Sequence, residues 1–210
     1  MGVRKDMRDI QFIKMHGTGN DFVVVDAVKN AEIAEAGQDL PLLARRICDR
    51  HFGVGADGLI LVLPSDKADY RMRIFNPDGS EAEMCGNGIR CFTRYVWENS
   101  AEKKDVISVE TLAGIMVPAP ITEGGSFVGA EVDMGEPSVE AVKEPLKIEN
   151  LDYSMNKISM GNPHCVIFVE DLQSVRLKDV GPIIENLPQF PNRTNEIGRA
   201  SCRERVYHPV

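Results

Sequence analysis

Hydrophobic and polar positions alternate with period two over Tyr70-Arg-Met-Arg-Ile-Phe75. Tyr70, Met72 and Ile74 fall on one side, and Arg71, Arg73 and Phe75 on the other. That pattern predicts a half-buried strand. The period then changes: Ile89, Phe92 and Val96, with Tyr95 beside them, recur at helical spacing. Two short segments lie between. Asn76-Pro-Asp-Gly79 reads as a turn, with Pro presetting φ and Gly tolerating positive φ. Cys85-Gly-Asn-Gly88 falls where the helix begins.

The same reading applies on either side. Ile10–Met15 and Phe22–Asp26 are predicted strands joined by the Gly-rich His16-Gly-Thr-Gly-Asn-Asp21. Asp39 is placed to cap a helix, with Pro41 in its first turn and Leu42, Leu43 and Ile47 on one face. That helix ends near Arg50–Gly53, and the Gly-rich Gly53–Gly58 leads to a strand at Leu59–Leu63. Val106–Glu110 and Ile115–Val117 follow as strands; Pro118, Pro120, Gly124 and Gly125 then mark a lobe boundary. A second strand-rich region opens at Phe127–Met134. Lys157–Met160 runs into Gly161-Asn-Pro-His164 and a strand at Cys165–Val169. Asp179–Asn186 reads as a short helix, and Phe190–Asn195 as the approach to another strand.

Chemistry concentrates at the predicted helix start. The first N–H groups of a helix lack intrahelical partners, and the dipole places partial positive charge there. The two glycines would let a ligand approach that backbone, so the site favours an anion such as a carboxylate. The same field stabilises a thiolate at Cys85. The alternative is a plain turn with a small buried cysteine, and this stretch alone leaves the two readings even. His16–Asp21 carries neither a GxGxxG nor a Walker pattern, so a hairpin turn is the simpler reading. Asn162 precedes a proline and is therefore held extended. His51 suits a helix end, and the four scattered histidines show no HExxH spacing for a metal.

Composition narrows the classes. A chain of 210 residues holds one large domain or two small ones, and 43% apolar content is ordinary for a globular protein. A net charge of −8 with no basic stripe argues against nucleic acid. No apolar run approaches a membrane span, and five cysteines without a CxxC pair fit reduced thiols in a cytoplasm.

Six segments in order then resemble the diaminopimelate epimerase family: Met15–Phe22, Gly53–Gly58, Phe75–Ser80, Met84–Cys91, Gly161–Cys165 and Pro191–Asn195. The resemblance spans about residues 8–195. It implies an α+β fold of two pseudo-symmetric lobes with the ligand between them, residues 8–122 forming the first and 123–195 a partial second. The implied reaction inverts LL-diaminopimelate to the meso form without cofactor or metal. Two cysteines on opposite faces of the α-carbon serve as thiolate base and thiol acid. By match to the motif, Cys85 is one of the pair, Gly86 and Asn87 hold the reacting carboxylate, and Asn20, Asn76, Asn162 and Asn195 grip the ligand's polar groups. His164 corresponds to a supporting residue, while Gly58 stands where some members have glutamine and is assigned no ligand role. The family often forms dimers, so a homodimer is one assembly the resemblance allows.

The departure begins after Asn195. Residues 196–210 carry Arg199, Arg203 and Arg205 but neither strand alternation nor an apolar stripe, and read as a non-family tail rather than a folded element. They resemble a string appended to a truncated gene. Cys202, flanked by Ser201 and Arg203, lacks the glycines of the family's second cysteine segment. The chain as written is therefore expected to be inactive in inversion. The other readings are a non-catalytic ligand-binding remnant, or another isomerase of the same fold of the proline-racemase or phenazine-pathway type.

Overall fold

The computed structural model describes residues 10–30, 33, 39–148, 151–159, 163–171, 175–190 and 194–200, without side chains for Leu177 and residues 195–200. The lead-in Met1–Arg8, Asn162, most of the Pro191–Asn195 segment, and Cys202 with its neighbours lie outside them. The architecture is α+β, and the chain divides into two units, Met1–Asp133 and Met134–Val210.

The first unit is built on one mixed sheet. Its strands are β1 (Ile13–Gly17), β2 (Asn20–Asp26), β3 (Gly58–Leu63), β4 (Tyr70–Phe75), β5 (Glu81–Ala82), β6 (Val109–Thr111) and β7 (Gly114–Met116). Among the described residues the order is β1-β2-β3-β4-β6-β7, with β5 paired to the end of β4. Two pairs are parallel, β2–β3 and β4–β6. Parallel neighbours need a long crossover, and each crossover contains a helix: α1 (Leu40–Cys48) and α2 (Gly86–Asn99).

The two helices cover opposite faces of the sheet. Phe22, Val24, Ile60, Val62, Met72 and Ile74 pack with Ile89, Phe92, Tyr95 and Val96 of α2. The alternate residues Val23, Val25, Leu59, Leu61 and Phe75 pack with Leu40, Ala44, Ile47 and Cys48 of α1. Strands covered on both sides read as unbroken apolar runs, which is why Val23–Val25 and Leu59–Val62 show no alternation. β4 departs from the half-buried expectation for the same reason: Phe75 is buried against α1, on the side carrying Arg71 and Arg73. Arg73 keeps its charge satisfied by a two-pronged pair with Glu81, both contacts 2.7 Å, and lies over the Phe75 ring.

Two further expectations are corrected. The buried stripe of α1 is Leu40, Ala44, Ile47 and Cys48; Leu43 packs only partly and Leu42 is exposed. At 100° per residue Leu42 stands about 200° round the helix from Leu40, away from the stripe. His51 falls beyond the helix, which stops at Cys48, and sits in an exposed turn. Asp39 does cap α1, accepting the Leu42 N–H at 2.9 Å. The unit boundary at Asp133 lies eleven residues beyond the expected 122. The hairpin of β8 (Ala119–Glu123) and β9 (Ser126–Glu131) belongs to the first unit because Phe127 packs on Trp97 of α2, ring centroids 6.0 Å apart.

Asp69 ties the approach to β4 to the approach to β6. Its carboxylate accepts from Lys104 Nζ at 2.5 Å and from the Ser108 N–H and hydroxyl, both at 2.8 Å. The Lys104 contact first, then Ser108, hold the Asp69 carboxyl down to about 2. A depressed carboxyl stabilises the fold fully above its unfolded value near 4 and loses that stabilisation as pH falls through about 2. Asp69→Asn is expected to lower stability by about 1 kcal/mol at neutral pH, after allowance for solvent screening. The same variant should flatten the decline between about pH 4 and 2, as thermal unfolding across that range would reveal.

The second unit has a sheet ordered β10 (Ser138–Ile148), β11 (Leu151–Ser159), β12 (Pro163–Val169) and β13 (Asn195–Ala200) among the described residues. Leu146, Ile148, Met155, Cys165 and Ile167 pack with Val180 and Ile184 of α3 (Leu177–Glu185) and with Phe190. β10 is irregular at Lys143, whose φ is 54°, and the buried Asn156 bridges the gap. It accepts the Lys143 N–H and donates to the Val166 carbonyl. β13 corrects the expectation that no element follows Asn195: Glu196–Ala200 continues a strand parallel to β12. Backbone pairing supplies that strand, and an unpaired edge recruits main chain whatever the side-chain pattern.

Candidate active site

Cys85 is the N-cap of α2. It has extended backbone, its carbonyl accepts the Ile89 N–H, and its Sγ accepts the Gly88 N–H at 3.4 Å. A sulfur thus stands where a cap hydroxyl or carboxylate usually does. The N–H groups of Gly86 and Asn87, at the first two helical positions, have no intrahelical acceptor by geometry. Gly88 packs tightly: a Cβ there would lie 3.0 Å from Ile74 Cδ1 and 3.3 Å from Cys85 Cβ, so those side chains would have to give way.

The β1–β2 hairpin brings a second group to the sulfur. Its two-residue turn, Thr18–Gly19, has positive φ at both positions and pairs Gly17 with Asn20. Thr18 is β-branched and strained at φ 53°; its hydroxyl bonds to the Gly17 carbonyl and to Asn87 Oδ1. Asn87 Oδ1 also accepts from Arg90. Asn20, the first residue of β2, directs Oδ1 at Cys85 Sγ, which donates to it at 3.8 Å. The simpler hairpin reading of His16–Asp21 therefore describes the backbone, and the turn still delivers an amide to the thiol.

The loop Gly53–Gly58 supplies the support. It folds back on the end of α1, where Val54 and Gly55 N–H bond to the Ile47 carbonyl and Ala56 N–H to that of Cys48. Asp57 then meets Asn20 Nδ2 at 3.0 Å and the Asp21 N–H at 2.9 Å. Arg50 binds both Asp57 and Asp21, at 2.7 and 2.8 Å, and Lys14 reaches Asp21 at 3.0 Å. These partners, Arg50 foremost, hold the Asp21 carboxyl well below the usual carboxylate range.

Asn20, Cys85, Gly86 and Asn87 are thus brought together within the first unit. Asn76 follows β4 at the sheet end where β3 begins, with its amide donating to Ser80 Oγ in its own turn. In the second unit, His164 and Asn195 are direct neighbours across the β12–β13 ladder. Sequence reasoning missed Asp57 as a site residue. It sits inside a segment singled out for resemblance, but its partner Asn20 is 37 positions away and no local signal joins them.

The remaining described cysteines differ in kind. Cys48, Cys91 and Cys165 are buried, and burial is the main cause pushing the Cys48 and Cys91 thiols up to about 11. Cys85 is only partly buried. Iodoacetamide near neutral pH is expected to modify Cys85 at least tenfold faster than Cys48 or Cys91, read by peptide mass mapping. Equal rates at the three would contradict the site. A cavity of about 180 Å³ lies near the far end of α2, lined by Asp69, Tyr70, Val96, Trp97 and Lys104 among others. Asp69 and Lys104 are paired to each other there. No group of three metal-ligating side chains, and no helix long and apolar enough to cross a membrane, occurs among the described residues.

The profile of the family described as Diaminopimelate epimerase matches residues 12–140. A diaminopimelate epimerase of Moorella thermoacetica is 50% identical over 94% of this chain and 76% of its own length. That of Pelotomaculum thermopropionicum is 52% identical over 89% and 70%. Among solved structures, a hydroxyproline epimerase from Agrobacterium vitis with bound trans-4-hydroxy-L-proline superposes with a TM-score of 0.68. It does so at 18% identity, over 90% of this chain and 64% of its own, which shows a shared fold.

Proposed function

The chain belongs to the diaminopimelate epimerase family, and from that premise we propose that Cys85 transfers the α-proton of diaminopimelate in the interconversion of its LL and meso forms. The observation that carries this reading is the sulfur at the N-cap of α2, accepting one backbone N–H and facing one amide carbonyl. An α-proton beside a carboxylate is weakly acidic, so its removal needs charge stabilised where it develops. The Gly86 and Asn87 N–H groups, at a positive helix end, suit the reacting carboxylate. Asn20, Asn76, Asn162 and Asn195 are neutral amides suited to ammonium and carboxylate ends, with His164 in support. The four described cysteines are free thiols, in keeping with a reducing cytoplasm.

Inversion requires a second donor on the opposite face of the α-carbon, because one group returns the proton to the side it left. The direct experiment incubates the protein with LL-diaminopimelate in deuterium oxide and follows α-deuterium and meso product together. Uptake that depends on Cys85 supports the reading. Meso product also demands a donor besides Cys85, and uptake without it assigns Cys85 a half-reaction. Absence of both uptake and product would overturn the proposal.

A further inference from the structure

Two groups at Cys85 favour opposite states of its sulfur. The Gly88 N–H donates and so favours the thiolate; the Asn20 carbonyl only accepts and so favours the thiol. A primary amide carries both kinds of group, and a half-turn about its last bond would exchange acceptor for donor. Asp57 prevents that half-turn. An ionised carboxylate has no proton to give, so only the NH2 end of Asn20 can face it. Both edges of the carboxylate are occupied: Oδ2 accepts from Asn20 and from the Asp21 N–H, and Oδ1 accepts from Arg50.

We propose that Asp57 is a positioning residue for proton transfer at Cys85, locking the Asn20 carboxamide with its carbonyl toward the sulfur. The inference rests on the reading of Cys85 as the proton-transfer thiol. A group that takes a proton in one direction and returns it in the other needs both states within reach. The opposed Gly88 and Asn20 contacts supply that balance, and Asp57 keeps the second from inverting. The charged and titratable groups around this link are Lys14 of β1, Asp21 of β2, Arg50 after α1, and Arg90 and Cys91 of α2. Lys14, Asp21 and Arg50 form one ionic cluster with Asp57, which braces the carboxylate from the side away from Asn20.

Asp57→Ala tests the lock. A methyl group at position 57 offers no acceptor on either edge. Arg50 keeps Asp21 Oδ1, while the Asp21 N–H, left without its carboxylate acceptor, draws the Asn20 carbonyl, whose amide then turns and presents its NH2 to Cys85. In the full chain, iodoacetamide modification of Cys85 should become roughly three- to tenfold faster near pH 7, the scale of one hydrogen bond exchanged. The rates should converge with the unsubstituted chain near pH 10. In an Asn20→Ala background, Asp57→Ala should add nothing, because the link runs through Asn20. An unchanged profile, or the same acceleration without Asn20, overturns the proposal. Should Asp57→Ala fail to fold, Asn20→Ala alone leaves the ionic cluster intact and removes the acceptor. It must then raise the rate near pH 7, and no rise counts against the lock. Failure of Cys85 to outpace Cys91 in the unsubstituted chain would tell instead against the functional reading.

Discussion

Cys85→Ser is expected to lower α-deuterium uptake from LL-diaminopimelate by about a thousandfold or more while leaving the fold as stable as before. The activity loss follows from removing the acid–base group itself, whose contribution is of the order 10² to 10⁴ in such reactions. The stability half of the prediction comes from the cap. Serine is among the best N-cap residues, so its hydroxyl takes over the Gly88 N–H that Cys85 Sγ accepts. Cys85→Ala would confuse the two effects, because loss of any cap costs about 1 kcal/mol. Deuterium incorporation by mass spectrometry, beside a thermal melt, separates them. Retained exchange in a folded Cys85→Ser protein would remove Cys85 from the chemistry.

Gly53→Ala is expected to be the most disruptive small substitution in the first unit. A Cβ at Gly53 would stand 2.2 Å from the Arg46 carbonyl oxygen, 2.7 Å from that of Ile47 and 2.9 Å from that of Asp49. All three are main-chain atoms of the α1 end and cannot swing aside as a side chain would. The loop must therefore lift, breaking the Val54, Gly55 and Ala56 bonds that close the helix. A cost of about 2–4 kcal/mol follows from overpacking and lost closing bonds together. Because the same loop carries Asp57, the substitution should also disturb Cys85 reactivity although Gly53 touches neither Asn20 nor Cys85. Denaturant unfolding with Cys85 modification rates checks both parts. A stable protein with an unaltered rate would show that the loop is not held by its contact with α1.

What the sequence made legible was local. The switch from alternation at Tyr70–Phe75 to helical spacing at Ile89–Val96 places Cys85 at a helix start, and the structure makes it the cap. Asp39 as the α1 cap is legible for the same reason, since donor and acceptor are three residues apart. Illegible features depend on partners remote in sequence. Leu42 looks as apolar as Leu40, and only the position of the sheet exposes one and buries the other. The long strand β10 carries Glu140, Lys143, Glu144, Pro145 and Lys147 with one side largely exposed, so its alternation is blurred and its extent is not legible from the sequence. β13 is defined by pairing with β12 rather than by its own pattern. At the site, Cys85 and Asn87 announce themselves through a local motif, whereas the Asn20–Asp57 contact exists only after two strands pair in parallel.

The two contacts at the Cys85 sulfur also belong to different moments in the life of the chain. Gly88 lies three residues from Cys85, so this bond closes as soon as α2 winds. Asn20 lies 65 residues away and Asp57 stands 37 from Asn20, so both wait for the slow joining of distant segments. A nascent chain that has made only its nearby contacts holds a thiolate-favouring donor without the opposing carbonyl. The sulfur is therefore placed early by its own helix and aimed late, when the completed sheet brings Asn20 and, behind it, Asp57 into line.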